Sequence, residues 1–367
     1  MRISAAVVDG LQGRFDVRDV EIGEPGRGEV LVKVAVAGIC HTDVAARDGD
    51  LPFPLPGVLG HEGAGTVVAV GEGVSEVSEG QAVVIGWPWC GQCRHCLAGE
   101  PRYCQSVFAL ASSGGRQDGS SALREPAGQR LSSHFFGQSS FATHSLTYAS
   151  SLVPVPDGLP VGLMGPLACG LATGAGAVFH AVRPLPGASV AIYGAGAVGL
   201  AAIMACSNSA ATTIMAVDRH EPRLALAKQL GATHTVNATQ EDPVRAIRDI
   251  CGGPADYAVE CTGAVTVVRQ AVDSVGMLGT CVLIGGTPAG AELSIDHAST
   301  LRGKSIVGVL GGNGRSTDLI GALMDLYAQG RFPFDRLIEF FPLDRIEDAV
   351  EASRRGEVIK PVLTMPG

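Results

Sequence analysis

The sequence lacks long apolar runs, repetitive tracts and an excess of basic residues. No apolar run reaches the roughly 18 residues that a membrane-spanning helix needs, and no signal-type apolar segment follows the first residues. The 27 basic residues against 36 acidic ones give a net charge of −9, which disfavours nucleic acid and anionic membranes as partners. These absences predict a cytoplasmic protein with neither type of partner.

Charged residues are also scarce, at 17% against 46% hydrophobic residues, so the composition favours a packed interior over disorder. A chain of 367 residues exceeds the usual size of one hydrophobic core, which predicts two domains. Ten cysteines in a cytoplasmic protein are not expected to form disulfides.

The first 150 residues are rich in β-branched residues and turns, and they predict strands at residues 29–37, 65–70 and 81–85. Residues 112–130 are polar and rich in glycine, which predicts a surface loop. From about residue 170 strands alternate with helices, as in a parallel doubly wound sheet. The strands predicted there are 190–193, 214–218, 257–260, 280–284 and 305–310, and the helices are 197–207, 221–230 and 265–274.

Helical patterns return at residues 319–329 and 346–353, followed by a short strand at 360–364. A β-rich domain therefore surrounds an inserted α/β domain. The predicted bounds are 1–170 with 311–367 for the first and 171–310 for the second.

A glycine-rich turn follows the strand predicted at residues 190–193 and opens the next helix. Gly194, Gly196 and Gly199 fit the pattern G-x-G-x-x-G, and Asp218 ends the following strand. Glycines let the backbone approach a pyrophosphate at the helix N-terminus, and a carboxylate can bind the adenosine ribose. Asp218 would repel a 2′-phosphate, so NAD(H) is favoured over NADP(H), although the neighbouring Arg219 weakens that preference.

Four thiols lie within fifteen residues, at Cys90, Cys93, Cys96 and Cys104. Four thiolates around Zn²⁺ make a closed tetrahedral site of the structural kind. Buried free cysteines or an iron–sulfur cluster are the alternatives, and the regular spacing in a loop favours zinc.

A second set of metal-ligand residues is dispersed through the chain, at Cys40, His61 and Cys169. Two thiolates and one imidazole leave one zinc position open, as a catalytic site requires. Taken alone, Cys40 could equally be a nucleophile, half of a disulfide or a small core residue.

With both sets in view, the chain resembles the zinc-dependent medium-chain alcohol dehydrogenases over essentially its whole length. The matching stretches are GICHTD, GVLGHEGAGTVVAVG, CGQCRHCLAGEPRYC, PLACGLATG, GAGAVG, AVDRH and GEVIKPVLT. The resemblance implies an α/β protein with a GroES-like β-rich catalytic domain and a Rossmann coenzyme domain, with the active site in the cleft between them. It also implies two zinc ions per subunit: a catalytic one on Cys40, His61 and Cys169, and a structural one on the four clustered cysteines.

The resemblance further implies roles for single residues near the catalytic zinc. Thr42 matches the hydroxyl residue that hydrogen-bonds the zinc-bound alkoxide, and Asp43 matches the carboxylate that orients the zinc-bound histidine. Glu62 corresponds to an acid near zinc with a role in water exchange. His41 and Lys360 align with residues that contact the coenzyme pyrophosphate, and Thr173 and Val198 with residues that pack on the nicotinamide.

The implied reaction is reversible oxidation of a primary alcohol to an aldehyde, with hydride transfer from the alkoxide to NAD⁺. Liver-type members place a proton-relay histidine five residues after the first zinc cysteine, where this sequence has Ala45. We therefore expect the proton to leave by a shorter route, through the nicotinamide ribose hydroxyls to water.

Two stretches, HFFGQSSFA and DGDLPFPLPG, resemble the aryl-alcohol (benzyl) and terpenoid-alcohol branch. Leu51, Trp87, Phe135 and Phe136 would form an apolar pocket wall for aromatic or allylic alcohols, or would simply pack a loop against the core. Alternatives are an aliphatic alcohol dehydrogenase, a glutathione-dependent formaldehyde dehydrogenase and a non-catalytic zinc- and NAD-binding protein. An edge strand at residues 305–310 would pair across a two-fold axis in a homodimer or homotetramer, as in family members.

Overall fold

A computed structural model of the protein describes residues 1–366. Strands are numbered in chain order: β1 Arg2–Val8, β2 Asp16–Ile22, β3 Glu29–Gly38, β4 Gly57–Val58, β5 Gly63–Val70, β6 Ala82–Ile85, β7 Leu123–Arg124, β8 Arg130–Leu131, β9 His144–Tyr148, β10 Leu152–Pro154, β11 Ser189–Tyr193, β12 Thr213–Asp218, β13 His234–Asn237, β14 Ala255–Glu260, β15 Val275–Leu283, β16 Ser305–Gly308, β17 Ile338–Pro342 and β18 Lys360–Thr364.

The α-helices are α1 His41–Asp48, α2 Arg94–Leu97, α3 Val107–Ser112, α4 Val161–Met164, α5 Gly170–Gly176, α6 Ala197–Ser207, α7 Glu221–Gln229, α8 Pro243–Cys251, α9 Val265–Ser274, α10 His297–Thr300, α11 Ser316–Ala328 and α12 Ile346–Arg354. Short 3-10 turns lie at Pro101–Tyr103, Phe135–Gly137, Ala149–Ser151, Gly165–Ala168, Phe334–Leu337 and Leu343–Arg345, and Ala177–Val182 is π-helical.

The first of two compact units comprises Met1–Cys169, Gly314–Ala328 and the chain from residue 335 onward. Its larger sheet has the order β10-β6-β5-β3-β18-β17, with β9 also paired to β3. Seven of the ten residues of β3 are valine, alanine or leucine, and all but two of the ten are buried, as expected of a strand covered on both faces. A second sheet, ordered β4-β1-β2-β7-β8, completes the unit.

The second unit comprises Gly170–Asn313 and Gln329–Phe334. Its six strands are all parallel and have the order β13-β12-β11-β14-β15-β16. The sequence order therefore reverses between β11 and β14, which is the switch point of a doubly wound Rossmann sheet. Val190 to Tyr193 of β11 are fully buried, consistent with a central strand. The predicted parallel doubly wound sheet is confirmed.

The predicted helices at 197–207 and 265–274 coincide with α6 and α9, and the strand at 360–364 coincides with β18. Among the elements that the sequence pattern did not predict are β1, β2, β13 and α8. The polar stretch 112–130 is mostly irregular, apart from the last residue of α3, strand β7 and the first residue of β8.

No single helix within residues 1–366 is long and apolar enough to cross a bilayer. One bent pair, Val161–Ala168 with Gly170–Val182, reaches that length and apolarity together, and most of its residues are buried within the protein.

Candidate active site

The junction between β3 and α1 carries four polar side chains in succession, at residues 40–43. Cys40 is the N-cap of α1, with φ of −118° and ψ of 156°. The Cys40 backbone N–H donates to Asp43 Oδ2 at 2.8 Å, which caps the first turn of the helix. This turn fixes the direction of the Cys40 thiol, and Thr42 Oγ1 lies 3.6 Å from its Sγ.

Asp43 also orients the ring of His61. Its Oδ1 lies 2.8 Å from His61 Nδ1 and accepts a hydrogen bond from Gly60 N at 3.1 Å, and both side chains are fully buried. An ionised carboxylate at this distance favours the tautomer with the proton on Nδ1. The lone pair of Nε2 is then available, and this buried atom has no hydrogen-bond partner among the described residues.

Four potential ligand atoms converge beside that nitrogen. The ligand atoms of Cys40, His61, Glu62 and Cys169 all lie within 4.8 Å of one another. Two thiols, one imidazole with an orphaned Nε2 and one carboxylate form the donor set that Zn²⁺ prefers. The residues present therefore fit a zinc ion, with Glu62 beside the three ligands expected from the sequence.

The electrostatics of the cluster favour a thiolate. A hydrogen bond from Cys169 holds the pKa of Cys40 well below that of an ordinary thiol, although burial opposes the shift. Burial disfavours a charge on His61, but Asp43 and Cys40 together outweigh it and raise the pKa of the imidazole to about 10. A proton or a metal cation is thus strongly favoured between His61 and the sulfur atoms.

Lys360 pairs with Glu62 across 298 positions of the chain. Its Nζ lies 2.5 Å from Glu62 Oε2 and donates to Ile39 O at 3.0 Å. Burial raises the pKa of Glu62 to about 7, against the opposing attraction of Lys360. Lys360 is only 3% exposed. Its pyrophosphate contact stays a prediction, as does that of His41, which is exposed at the first position of α1.

The four clustered cysteines also converge, with ligand atoms within 4.8 Å of one another. Cys96 Sγ lies 3.5 Å from Cys93 Sγ and 3.9 Å from Cys90 Sγ. Backbone N–H groups of residues 90, 105 and 106 point at the sulfur atoms over 3.3–3.5 Å. Such donors stabilise thiolates, and the backbone N–H groups of Cys96 and Gln105 lower the pKa of Cys93 to about 6. The donor set and its chemistry fit a tetrahedral zinc site.

The glycine-rich turn of the second unit opens a cavity of about 450 Å³ at the carboxyl ends of β11, β12 and β14. Gly194 has a φ of +94°, which favours glycine. A side chain at Gly199 would lie 1.7 Å from the carbonyl oxygen of Gly194, whereas nothing lies within 4 Å of the Cβ position at Gly196. The turn therefore packs closely on its strand and leaves one face open to a ligand, as a dinucleotide pyrophosphate requires.

Asp218 lines the same cavity and is held by three backbone groups. Ala195 N donates to Oδ2 at 2.6 Å, and the N–H groups of Arg219 and His220 donate to Oδ1 at 2.8 and 2.9 Å. The carboxylate thus fixes the glycine-rich turn while presenting negative charge where the adenosine ribose is expected. Arg219 also lines the cavity.

Thr173 and Val198 lie on two helices in close contact, α5 and α6. A Cβ at Gly174, next to Thr173, would lie 1.9 Å from the carbonyl oxygen of Val198. Both side chains are half-buried. Their packing against a nicotinamide ring stays a prediction.

The exchange of Asp218 for asparagine is expected to lower kcat/KM for NAD⁺ by about tenfold and to reduce the preference for NAD⁺ over NADP⁺. The amide would place an N–H opposite Ala195 N and would no longer repel a 2′-phosphate. Steady-state kinetics with both coenzymes measures the change. Asp256→Asn is the matched control, because Asp256 accepts from Ser189 at the amino end of the sheet. Equal losses in both variants would contradict this role for Asp218.

Aromatic rings surround the imidazole of His61. The Phe136 ring centroid lies 4.7 Å from that of His61, and Phe135 lies 5.7 Å away. Trp87 packs on Phe136 at 4.8 Å, and Leu51 is half-buried against the same core. The four residues predicted to form a pocket wall therefore belong to one apolar cluster with a potential zinc ligand.

Two further buried polar side chains escaped the sequence analysis. Gln138 donates to His61 O and Ile85 O at 2.9 and 3.0 Å and accepts from Gly63 N at 3.0 Å, so it fixes the backbone on both sides of Glu62. Arg102 packs on the Trp87 ring. Neither residue belongs to a spacing pattern, and only burial reveals them.

Two sequence families match this chain. Residues 26–157 match the alcohol dehydrogenase GroES-like domain, and residues 197–329 match the zinc-binding dehydrogenase family. The β-rich unit and the Rossmann unit thus each have a family counterpart.

Individual proteins are similar over nearly the whole chain. Geraniol dehydrogenase of Castellaniella defragrans is 38% identical over 366 residues, covering 98% of this chain and 96% of that protein. Benzyl alcohol dehydrogenase of Acinetobacter calcoaceticus has a crystal structure with a TM-score of 0.96 and 42% identity, with both chains covered fully. An alcohol dehydrogenase zinc-binding domain protein of Burkholderia ambifaria gives a TM-score of 0.98 and 44% identity, again with full coverage of both chains.

Proposed function

The chain belongs to the zinc-dependent alcohol dehydrogenase family, and on that premise we propose that it oxidises primary aromatic or allylic alcohols reversibly to aldehydes with NAD⁺. The observation that carries the proposal is the ring stack on His61, with Phe136 at 4.7 Å. A flat aromatic ring or double bond attached to the carbinol carbon suits such a wall.

Cys40, His61 and Cys169 would hold the catalytic zinc, and Glu62 is the neighbouring carboxylate. When bound, zinc supplies a Lewis acid that lowers the pKa of an alcohol. Asp43 keeps the His61 ring in the tautomer whose Nε2 faces the cluster. Gln138 holds the backbone carbonyl of the same residue.

Thr42 is the residue best placed to take the alcohol proton. Thr42 is half-buried and its Oγ1 lies 3.6 Å from Cys40 Sγ, so a hydroxyl group entering the cluster would meet it. A threonine hydroxyl can accept one proton while it donates its own. At the position three residues further on, Ala45 offers no side-chain proton carrier, so the proton must continue through other groups.

NAD(H) is the coenzyme of the reaction, and bound NAD⁺ supplies the hydride acceptor. We propose that Gly194, Gly196 and Gly199 hold its pyrophosphate and that Asp218 binds the adenosine ribose. The second unit would then be the coenzyme domain and the first the catalytic domain, close to the bounds predicted from the sequence.

We also propose a cellular location and an oligomeric state. None of the ten cysteines forms a disulfide, which suits the reducing cytoplasm. The edge position of β16 in its sheet makes pairing with a second copy possible, so a homodimer or homotetramer is proposed.

The decisive experiment compares kcat/KM for benzyl alcohol, geraniol, hexanol and S-hydroxymethylglutathione with NAD⁺. We expect the aromatic and allylic alcohols to exceed hexanol by about tenfold or more. A clear preference for S-hydroxymethylglutathione would replace the proposal with a formaldehyde dehydrogenase. Failure of all four, with zinc bound at both sites, would support a non-catalytic zinc- and NAD-binding protein.

A further inference from the structure

Arg102 is a buried cation with an unusual environment. It lies in the turn Pro101–Tyr103, between the clustered cysteines Cys96 and Cys104, and is only 2% exposed. Its Nε and Nη1 atoms have no hydrogen-bond partner among the described residues. Burying these two atoms without such partners is unfavourable, so other interactions must hold the guanidinium there.

One such interaction is with the face of Trp87. The guanidinium carbon of Arg102 lies 4.8 Å from the centroid of the Trp87 ring. A desolvated cation–π contact of this kind is stronger than one at the surface.

The contact between Arg102 and Trp87 is the first in a continuous stack of side chains that ends at His61. Trp87 meets Phe136 edge-on, with centroids 4.8 Å apart and planes at 66°. Phe136 in turn lies 4.7 Å from His61, with planes at 32°. Arg102, Trp87, Phe136 and His61 are each no more than 8% exposed.

The middle of the stack has few other polar contacts to fix it. Trp87 lies beyond the end of β6, and its Nε1 has no hydrogen-bond partner among residues 1–366. Phe136 has a φ of +48°, a left-handed conformation that a bulky residue adopts only where its surroundings impose it. The position of both rings therefore depends on what packs against them.

We propose that Arg102 is a positioning residue that holds Trp87, and through it Phe136, in the orientation that selects aromatic and allylic alcohols. The inference rests on the proposed function and extends it to a residue outside the pocket wall. It also gives the segment with the clustered cysteines a second role, because that segment carries Arg102.

The test compares Arg102→Met, which removes the charge, with Arg102→Lys, which keeps a cation. Arg94→Met is the matched control, because Arg94 lies exposed on α2 of the same segment. In Arg102→Met the ratio of kcat/KM for benzyl alcohol to that for hexanol is expected to fall about tenfold, through a higher KM for benzyl alcohol. Arg102→Lys is expected to restore part of the ratio, and Arg94→Met to leave it unchanged.

A fluorescence measurement reports on Trp87 without turnover. In a Trp89→Phe background, Trp87 is the only tryptophan, because the chain has two. Acrylamide is expected to quench its emission more strongly in Arg102→Met than in the parent or in Arg94→Met. Zinc content and circular dichroism of each variant establish that the variants are folded and loaded.

Two outcomes would overturn the inference: an unchanged selectivity ratio together with unchanged quenching in Arg102→Met, or equal changes in Arg102→Met and Arg94→Met. A failure of the proposed function would give a different experimental result. The parent protein would then not prefer aromatic or allylic alcohols, while the quenching difference would still decide whether Arg102 holds Trp87.

Discussion

Replacement of Cys169 by alanine is expected to remove one of the two zinc ions per chain and to lower kcat/KM for benzyl alcohol by about a thousandfold or more. The Cys169 thiol is one of four ligand groups within 4.8 Å of one another, and it is only 6% exposed. Alanine would leave the cluster with one thiol, one imidazole and the carboxylate of Glu62, which is paired with Lys360. Loss of several kcal/mol of transition-state stabilisation corresponds to a rate loss of this size.

The matched control is Cys281→Ala. Cys281 lies in β15 of the second unit, is fully buried and belongs to neither cysteine cluster. The same deletion of one buried thiol there should cost some stability through a small cavity, but it should leave both zinc ions and the activity in place. Metal analysis by mass spectrometry, steady-state kinetics and circular dichroism measure the three quantities.

A Cys169→Ala protein that kept two tightly bound zinc ions and nearly full activity would rule out this cluster as the catalytic site. Loss of both zinc ions with loss of circular dichroism would show general unfolding instead. In that case Cys169→Ser, which keeps the size and a polar atom, is the variant to compare with Cys281→Ser.

The sequence revealed most about the parts of the molecule in which the signal is local. Cys90, Cys93 and Cys96 are three residues apart, so one short loop brings their sulfur atoms together. The helix α6 was predicted to the residue, because a glycine-rich turn precedes it and an alanine-rich run forms it. By contrast, Cys40 and Cys169 are 129 positions apart, and their spacing alone favours zinc only moderately, because a cysteine in a core is common.

The unpredicted features depend on tertiary contacts. The pair of Lys360 with Glu62, the three hydrogen bonds of Gln138 and the burial of Arg102 leave no periodic pattern in the sequence. Strand β2 was missed for another reason. Only two of its seven residues are buried, and its four charged side chains resemble those of a loop.

Replacement of Cys104 by alanine is expected to remove the other zinc ion and to lower the melting temperature by about 10 °C. The segment around the clustered cysteines has little regular structure to stabilise it. Helix α2 has four residues and the turn Pro101–Tyr103 has three, too few to persist by their own hydrogen bonds. Its small core consists of Val107 and the cysteines themselves, with Trp89 packed alongside.

Val107→Ala is the control within the same segment. It deletes buried apolar volume next to Cys104 without removing a ligand, so both zinc ions should remain and the melting temperature should fall less. Calorimetry with metal analysis on the three proteins separates the two effects. Equal melting temperatures for Cys104→Ala and Val107→Ala would show that the metal contributes little beyond packing.

The same pair of variants connects the structural site with substrate selection. If the clustered cysteines hold Arg102 against Trp87, Cys104→Ala should lower the ratio of kcat/KM for benzyl alcohol to that for hexanol even well below its melting temperature, as Arg102→Met does. Val107→Ala should preserve that ratio, because it leaves the four thiols that anchor the turn containing Arg102. A lower melting temperature with unchanged selectivity in Cys104→Ala would confine the second zinc to stability.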